Sequence, residues 1–320
     1  MISPVDGTWD LVIETPIGTQ RATVELSTAD GVLRGVARDP RHGGQVPLGS
    51  GSARRPPATP GHLPTRRTEM GSQSTSAYDR PTGDVPPPSV GMLMYNGQTN
   101  LDFIGPETTF SAAGMTVHLI SDSLEPVVSD SGVAVLPTVT MADCPAELDI
   151  LFVPGGMVDG VLLDRARLAF LADRGATASY VTSVCSGSVV LAAAGLLDGY
   201  RAATHWAMRE QLARFGVEVS EERVCLDRNR CTGGGVTAGI DFGLTLIARV
   251  LGEQVARFTQ LAIEYDPRPP FDSGSPSSAG PEAVARFRTF VGPADQLMDD
   301  AVSQALARRA ATLSALPGTP

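Results

Sequence analysis

Hydrophobic and polar positions follow three different patterns along the chain. In residues 1–48, Thr8–Glu14, Thr19–Ser27 and Val32–Arg38 are short runs holding apolar and β-branched side chains, which read as strands. Pro16-Ile17-Gly18 and Ala29-Asp30-Gly31 supply turns between these runs. The pattern predicts a small β-meander of three strands, too small to hold a core alone. Residues 49–88 carry almost no large apolar side chain and are rich in Pro, Gly, Ser, Thr and Arg, with Pro pairs and triplets at 56–57 and 86–88. Such a stretch predicts a disordered linker.

From Ser89 the pattern becomes one of short apolar runs separated by helical periodicity. Strands are expected at Val90–Tyr95, Thr116–Ser121 and Ile150–Pro154, with shorter β segments within Val127–Leu136. Helices are expected near 101–113 and 163–173. The stretch from Ala178 to Leu197 reads as a buried strand, Ser179–Val184, running with no spacer into a small-residue helix, Gly187–Leu197. Beyond it come a strand at Arg201–Thr204, a helix from His205 to Phe215, and strands near Glu218 and Val224. A glycine turn, Gly233-Gly234-Gly235, then leads into a long helix, Thr237–Leu251. Alternating strands and helices predict an α/β fold, a mainly parallel sheet with helices on both faces. Residues 89–280 form this domain. Residues 281–320 form a C-terminal helical extension, with a break expected at Gly292-Pro293.

Composition narrows the possible chemistry. The 320 residues carry a formal net charge of −10, and residues 1–88 balance nine arginines against nine acids, so the excess belongs to the remainder. An acidic chain makes no footprint for nucleic acid or an anionic membrane. There is no lysine, which removes Schiff-base and P-loop lysine chemistry. Cys144, Cys185, Cys225 and Cys231 lack C-x-x-C spacing, and the four histidines are scattered, so no metal site is expected. No signal-peptide pattern and no membrane-length apolar run is present, which makes the cytoplasm the expected compartment.

In a parallel sheet, sites form where strands end. Asp102, Gly155-Gly156 and Cys185 all fall just past expected strand ends. A cysteine in an apolar run is ordinarily inert core. At a sharp strand-to-helix turn it is instead a nucleophile elbow, and a helix N-terminus would lower its pKa. Asp102 is explained either as a first-turn residue of a helix capped by Asn100 or as a proton donor and acceptor beside the thiol. Gly155 and Gly156 make either a tight turn or a pair of N–H donors facing the site. His205 is either a capped structural residue or a pocket residue, with its role as a base left open.

Several collinear stretches resemble the ThiJ/PfpI superfamily. They are Leu101-Asp102-Phe103-Ile104-Gly105-Pro106, Val153-Pro154-Gly155-Gly156, Val184-Cys185-Ser186-Gly187-Ser188, Ala203-Thr204-His205-Trp206, Thr232–Asp241 and Glu264-Tyr265-Asp266-Pro267. Within the superfamily they are most similar to the isonitrile hydratase (isocyanide hydratase) group. The resemblance runs from about Ser89 to Ser278 and implies a flavodoxin-like doubly wound sandwich. It further implies Cys185 as nucleophile, Asp102 as its acid/base partner and Ser186 as a supporting hydroxyl where the hydratases carry threonine. Gly155, Gly156, Gly187 and His205 would line the site. The implied reaction adds water to a small isocyanide through a thioimidate on Cys185, with no cofactor, in a homodimer. Ser186 stands where PfpI-type peptidases carry histidine, and Asp102 where the deglycase-like branch carries glutamate. A non-enzymatic redox or ligand sensor built on Cys185 is the alternative.

Overall fold

The computed structural model describes residues 86–315, with side chains through 311, together with four strands nearer the N-terminus. The chain divides into two compact units, 1–71 and 72–320.

In the first unit, β1 (Gly7–Thr15), β2 (Gly18–Ala29), β3 (Val32–Arg38) and β4 (Gln45–Ser52) form one antiparallel sheet in sequence order. The meander therefore has four strands, not three, and β4 crosses the boundary expected at residue 48. Pro47 hides it from a propensity reading. β4 lies at the sheet edge, where one side needs no N–H donor, and proline is tolerated there. The remaining expected linker, residues 53–85, lies outside the described residues.

The second unit is built on a seven-stranded sheet. Its strands are β5 (Ser89–Leu93) and β6 (Thr116–Ser121), then, past the hairpin of β7 (Val127–Val128) with β8 (Ala134–Val135), β9 (Val139–Thr140), β10 (Ile150–Val153) and β11 (Tyr180–Val184). A two-stranded pair, β12 (Arg201–Ala203) with β13 (Glu218–Ser220), precedes β14 (Val224–Asp227) and β15 (Arg230–Gly233). The order across the large sheet is β14-β15-β11-β10-β5-β6-β9, parallel throughout except for β14 against β15. β15 sits inside the sheet, although Thr232-Gly233 reads locally as turn. Its four residues are all buried, and pairing on both sides overrides the glycine.

Helices cover both faces, as alternation requires. They are α1 (Asn100–Ala112), α2 (Asp159–Leu163), α3 (Arg165–Thr177), α4 (Gly187–Ala193), α5 (Arg209–Ala213), α6 (Ala238–Leu251), α7 (Glu253–Ala262), α8 (Pro276–Ala279) and α9 (Pro281–Ala315). Successive side chains of β10 divide the core: Leu151 and Val153 pack with Leu171, Val190 and Val302, while Ile150 and Phe152 pack with Phe110, Phe242 and Leu246. Two expected helices have other bounds than the pattern suggests. Asp164 accepts from the N–H groups of Ala166 and Arg167 and so starts α3 afresh after α2. Gly195, at φ +81°, lies just past the end of α4.

The break expected at Gly292-Pro293 is absent, and α9 is one 35-residue helix with Pro293 inside it. Its second half belongs to the domain core. Met298, Ala301, Val302 and Ala305 are buried, Arg309 donates to Ala192 O and to Asp198, and Arg308 donates to the carbonyls of Leu162 and Leu163. Burial on that face outweighs the hydrogen bond that proline removes. Residues 298–309 are thus packed into the core of the α/β unit. Val302→Ala removes two methyl groups from a fully buried site and is expected to cost ~1–3 kcal/mol, read as a lower urea midpoint with unchanged slope; an unchanged midpoint would place α9 outside the core.

Candidate active site

Cys185 follows the last residue of β11 and precedes α4 by one residue. Its φ is +57°, a left-handed conformation that a non-glycine residue holds only when its surroundings over-determine it, at ~1–3 kcal/mol. Four hydrogen bonds do so. The Cys185 N–H donates to Gly233 O (3.1 Å) and Gly234 O (2.8 Å), and its carbonyl accepts from Thr204 Oγ1 (2.9 Å) and Ser188 Oγ (3.2 Å). The elbow is thus clamped from β15 on one side and from the end of β12 on the other.

Glycines let the neighbouring loop reach it. A Cβ on Gly187 would lie 2.3 Å from Val153 O and 2.7 Å from Pro154 O, so only glycine allows α4 to start against the end of β10. A Cβ on Gly155 would lie 2.5 Å from Cys185 Cβ, 2.6 Å from Asp102 Oδ2 and 2.8 Å from the Ser186 nitrogen. Gly155 therefore marks the point where cysteine, aspartate and the α4 entrance meet.

Asp102, in the first turn of α1, is completely buried, and neither carboxylate oxygen accepts a hydrogen bond of good geometry. Burial raises its pKa to about 7; the Cys185 thiol and the Gly155 N–H, in looser contact, pull it down. A helix-dipole role does not account for a carboxylate held this way. The expected cap is also absent: Thr99 precedes the helix, Asn100 is its first residue, and the buried Asn100 Oδ1 is unpartnered.

The thiol departs from expectation. Burial and the nearby Asp102 carboxylate push Cys185 well above the usual thiol range, against the lowering influence of the Ser186 N–H. Cys185 stands before a helix of only seven residues, and burial favours its protonated thiol. Asp102 and Cys185 form a buried, coupled pair poised to share one proton.

The other expected residues divide. Ser186 Oγ accepts from the Gly156 N–H and donates to Gly156 O, both at 3.0 Å. Its hydroxyl is thus spent on fixing the Gly155–Gly156 loop, and the Gly156 N–H is not free to face a substrate. Gly156, at φ +132°, also pairs with Gln98 across an isolated bridge, where a Cβ would meet Gly97 O at 2.5 Å. His205 Nδ1 accepts from the Ala207 N–H at 3.2 Å, and burial beside Arg209 lowers its pKa. It caps the turn Trp206–Met208 through that nitrogen. Among the described residues no cluster of three His, Cys, Asp or Glu side chains gathers as a metal site.

Two wall residues escape a sequence reading. Tyr95 is buried, donates to Pro154 O at 2.9 Å, and is raised in pKa by burial and by Asp102 and Cys185. Gln98 is fully buried, accepts from the Tyr95 N–H through Oε1 at 3.2 Å, and keeps Nε2 unpartnered. Their only signal is position, just past the end of the strand that precedes Asp102.

Known proteins share this arrangement's framework. The DJ-1/PfpI family profile matches residues 88–249. Isonitrile hydratase from Pseudomonas putida is 44% identical over 221 residues, 68% of this chain and 96% of the relative. The crystal structure of a ThiJ/PfpI family protein from Pseudomonas syringae is 41% identical, covers 74% of this chain and 98% of its own, and superposes with a TM-score of 0.66. The HTH-type transcriptional regulator GbdR of Pseudomonas aeruginosa is 34% identical over 143 residues, 43% of this chain and 38% of the regulator. With the profile spanning half of the chain and the match to the hydratase running nearly its full length, this chain belongs to the DJ-1/PfpI family.

Proposed function

We propose that the protein is an isonitrile hydratase-like lyase that hydrates an isocyanide to an N-substituted formamide through Cys185. The single observation that carries this reading is the buried, unbonded Asp102 carboxylate meeting Cys185 at Gly155. Similarity to the Pseudomonas putida hydratase over nearly its whole length supports the substrate class.

The chemistry follows from the proton that the pair shares. The terminal carbon of an isocyanide accepts both a nucleophile and a proton. As the Cys185 sulfur bonds to that carbon, Asp102 takes the thiol proton and returns it to the same carbon, leaving a thioimidate, R–N=CH–S–Cys185. Water then adds to this carbon with Asp102 accepting its proton and passing it to nitrogen. The C–S bond breaks, nitrogen keeps its proton, and Cys185 recovers the hydroxyl proton to release R–NH–CHO. No redox partner or cofactor enters, and a pKa of about 7 suits Asp102 to work in both directions near neutrality. Ser186 supports the reaction by holding Gly155 and Gly156 in place.

The redox form of the sensor alternative needs an easily oxidised thiolate, which the burial of Cys185 disfavours; a ligand sensor would bind an isocyanide without releasing formamide. We place the enzyme in the cytoplasm, as a homodimer, with residues 1–88 dispensable for turnover. Its four cysteines are unpaired, and among the described residues no helix is long and apolar enough to cross a membrane.

Cys185→Ala is expected to abolish formamide formation, and Asp102→Asn to slow it by ~10²–10⁴-fold; mass spectrometry of the trapped enzyme should find the adduct on Cys185 alone. An active Cys185→Ala variant would refute the mechanism.

The pH dependence follows from Asp102. Its carboxylate must be ionised to take the thiol proton, so kcat/KM should rise with pH through about 7 and lose that limb in Asp102→Asn. The same shift sets stability. A carboxyl raised in the native state favours folding below its unfolded pKa, and that contribution disappears as pH climbs to about 7. The thermal midpoint of Asp102→Asn should therefore gain on wild type between about pH 4 and pH 7 and hold its lead above. A constant difference across that range would mean that Asp102 is not raised.

A further inference from the structure

A cluster of aromatic rings stands beside the elbow. His205, Trp206 and Phe287 of α9 contact one another in all three pairings, with centroids 5.6 Å (His205–Trp206), 6.2 Å (His205–Phe287) and 4.9 Å (Trp206–Phe287) apart. The Arg288 guanidinium lies over Trp206 at 5.7 Å. Backbone contacts tie this cluster to Cys185. Thr204, immediately before His205, donates to the Cys185 carbonyl, and Gly234 accepts from the Cys185 N–H. Next in the chain, Gly235 lies directly under the His205 ring, where a Cβ would come within 2.8 Å of Cδ2.

These rings differ from the ones that merely fill the core. Phe110, Phe152 and Phe242 also form a three-ring cluster, and all three are completely buried. His205, Trp206 and Phe287 are each left half-buried. Phe287 also borders an open groove of about 510 Å³ that it shares with Glu282, Arg286 and Phe290. The rings thus keep a free apolar surface next to free volume. On the other side of Cys185, the space is taken by Gly155, Asp102 and Ser186.

An isocyanide is linear from its substituent through nitrogen to the attacked carbon. With that carbon at Cys185 and the Gly155 side closed, the substituent extends away from Asp102, and the half-buried rings are the apolar surface that the backbone ties to the elbow. We propose that His205, Trp206 and Phe287 form the subsite for the nitrogen substituent, and that it selects isocyanides carrying an aromatic ring. This rests on the hydratase reading above. The rings offer tilted faces to a planar group, which aromatic pairs favour over parallel stacking. Phe287 is the specificity-determining member, because His205 is tied to its cap and Trp206 to Arg288. Sequence reasoning missed it by assigning residues 281–320 to an appendage.

The test compares benzyl with methyl isocyanide in wild type, Phe287→Ala and Phe287→Tyr. The ratio of their kcat/KM values should fall about tenfold in Phe287→Ala, chiefly through KM for the benzyl compound, and be restored in Phe287→Tyr. Equal losses for both substrates would mean that the ring only supports α9 and would overturn the subsite. A second readout needs no hydration. Cys185 displaces chloride from N-benzyl- and N-methylchloroacetamide, and mass spectrometry gives the two alkylation rates. Wild type should favour the benzyl reagent beyond the preference of free cysteine, and Phe287→Ala should lose that preference. Alkylation selectivity without hydration of any isocyanide would keep the subsite and discard the hydratase reading. Absent selectivity in wild type would overturn the subsite, as would a Phe287→Ala variant that changes mass in solution yet keeps the selectivity, since the rings would then serve a subunit contact.

Discussion

The site depends on one constraint, the left-handed backbone at Cys185. A cysteine at φ +57° is strained, and four hydrogen bonds from Gly233, Gly234, Thr204 and Ser188 keep it there. Three of those bonds, to Gly233, Gly234 and Thr204, reach segments distant in sequence, which is why the α/β unit has to be complete before the elbow exists. β15 must lie beside β11, and the segment after β12 must return over it. The close packing at Gly187 and Gly155 then follows, because the turn leaves no room for a Cβ at either place.

Burial sets the electrostatics of the pair. Asp102 and Cys185 are both pushed upward in pKa by loss of water; the Asp102 carboxylate raises Cys185 further, whereas the thiol's hydrogen bond draws Asp102 back down. A helix N-terminus beside a thiol suggests a stabilised thiolate, yet desolvation dominates here. The consequence is chemical rather than merely electrostatic. A protonated thiol next to a carboxylate with pKa about 7 is suited to move one proton back and forth, whereas a stable thiolate would react more widely. The same burial argues for protected chemistry inside the site over redox sensing at its surface.

Ser186 acts on the neighbouring loop rather than on Cys185 or Asp102 directly. Bonded twice to Gly156, it sets the loop whose other glycine touches both Cys185 and Asp102. His205 plays a comparable part on the opposite flank, capping a turn and carrying the aromatic rings that connect the elbow to α9. α9 in turn is held by Arg309 and by a buried face beyond Pro293, so the helix that carries Phe287 is anchored in the core of the domain.

Much of this is legible in the amino-acid order. The apolar runs at 89–93, 150–153 and 180–184 mark parallel strands buried on both faces, and their ends locate Asp102, Gly155 and Cys185, because the period of a strand and the direction of a parallel sheet are local properties. What local pattern misses is set by partners. Arg230–Gly233 is a strand only because β11 and β14 pair with it, and Pro47 sits in a strand only because that strand is an edge. Pro293 fails to break α9 because buried contacts on its far side outweigh one lost hydrogen bond. The pKa of Cys185, the anchoring of Ser186 and the place of Phe287 were likewise decided by the tertiary structure, since desolvation and contact between distant segments have no counterpart in sequence spacing.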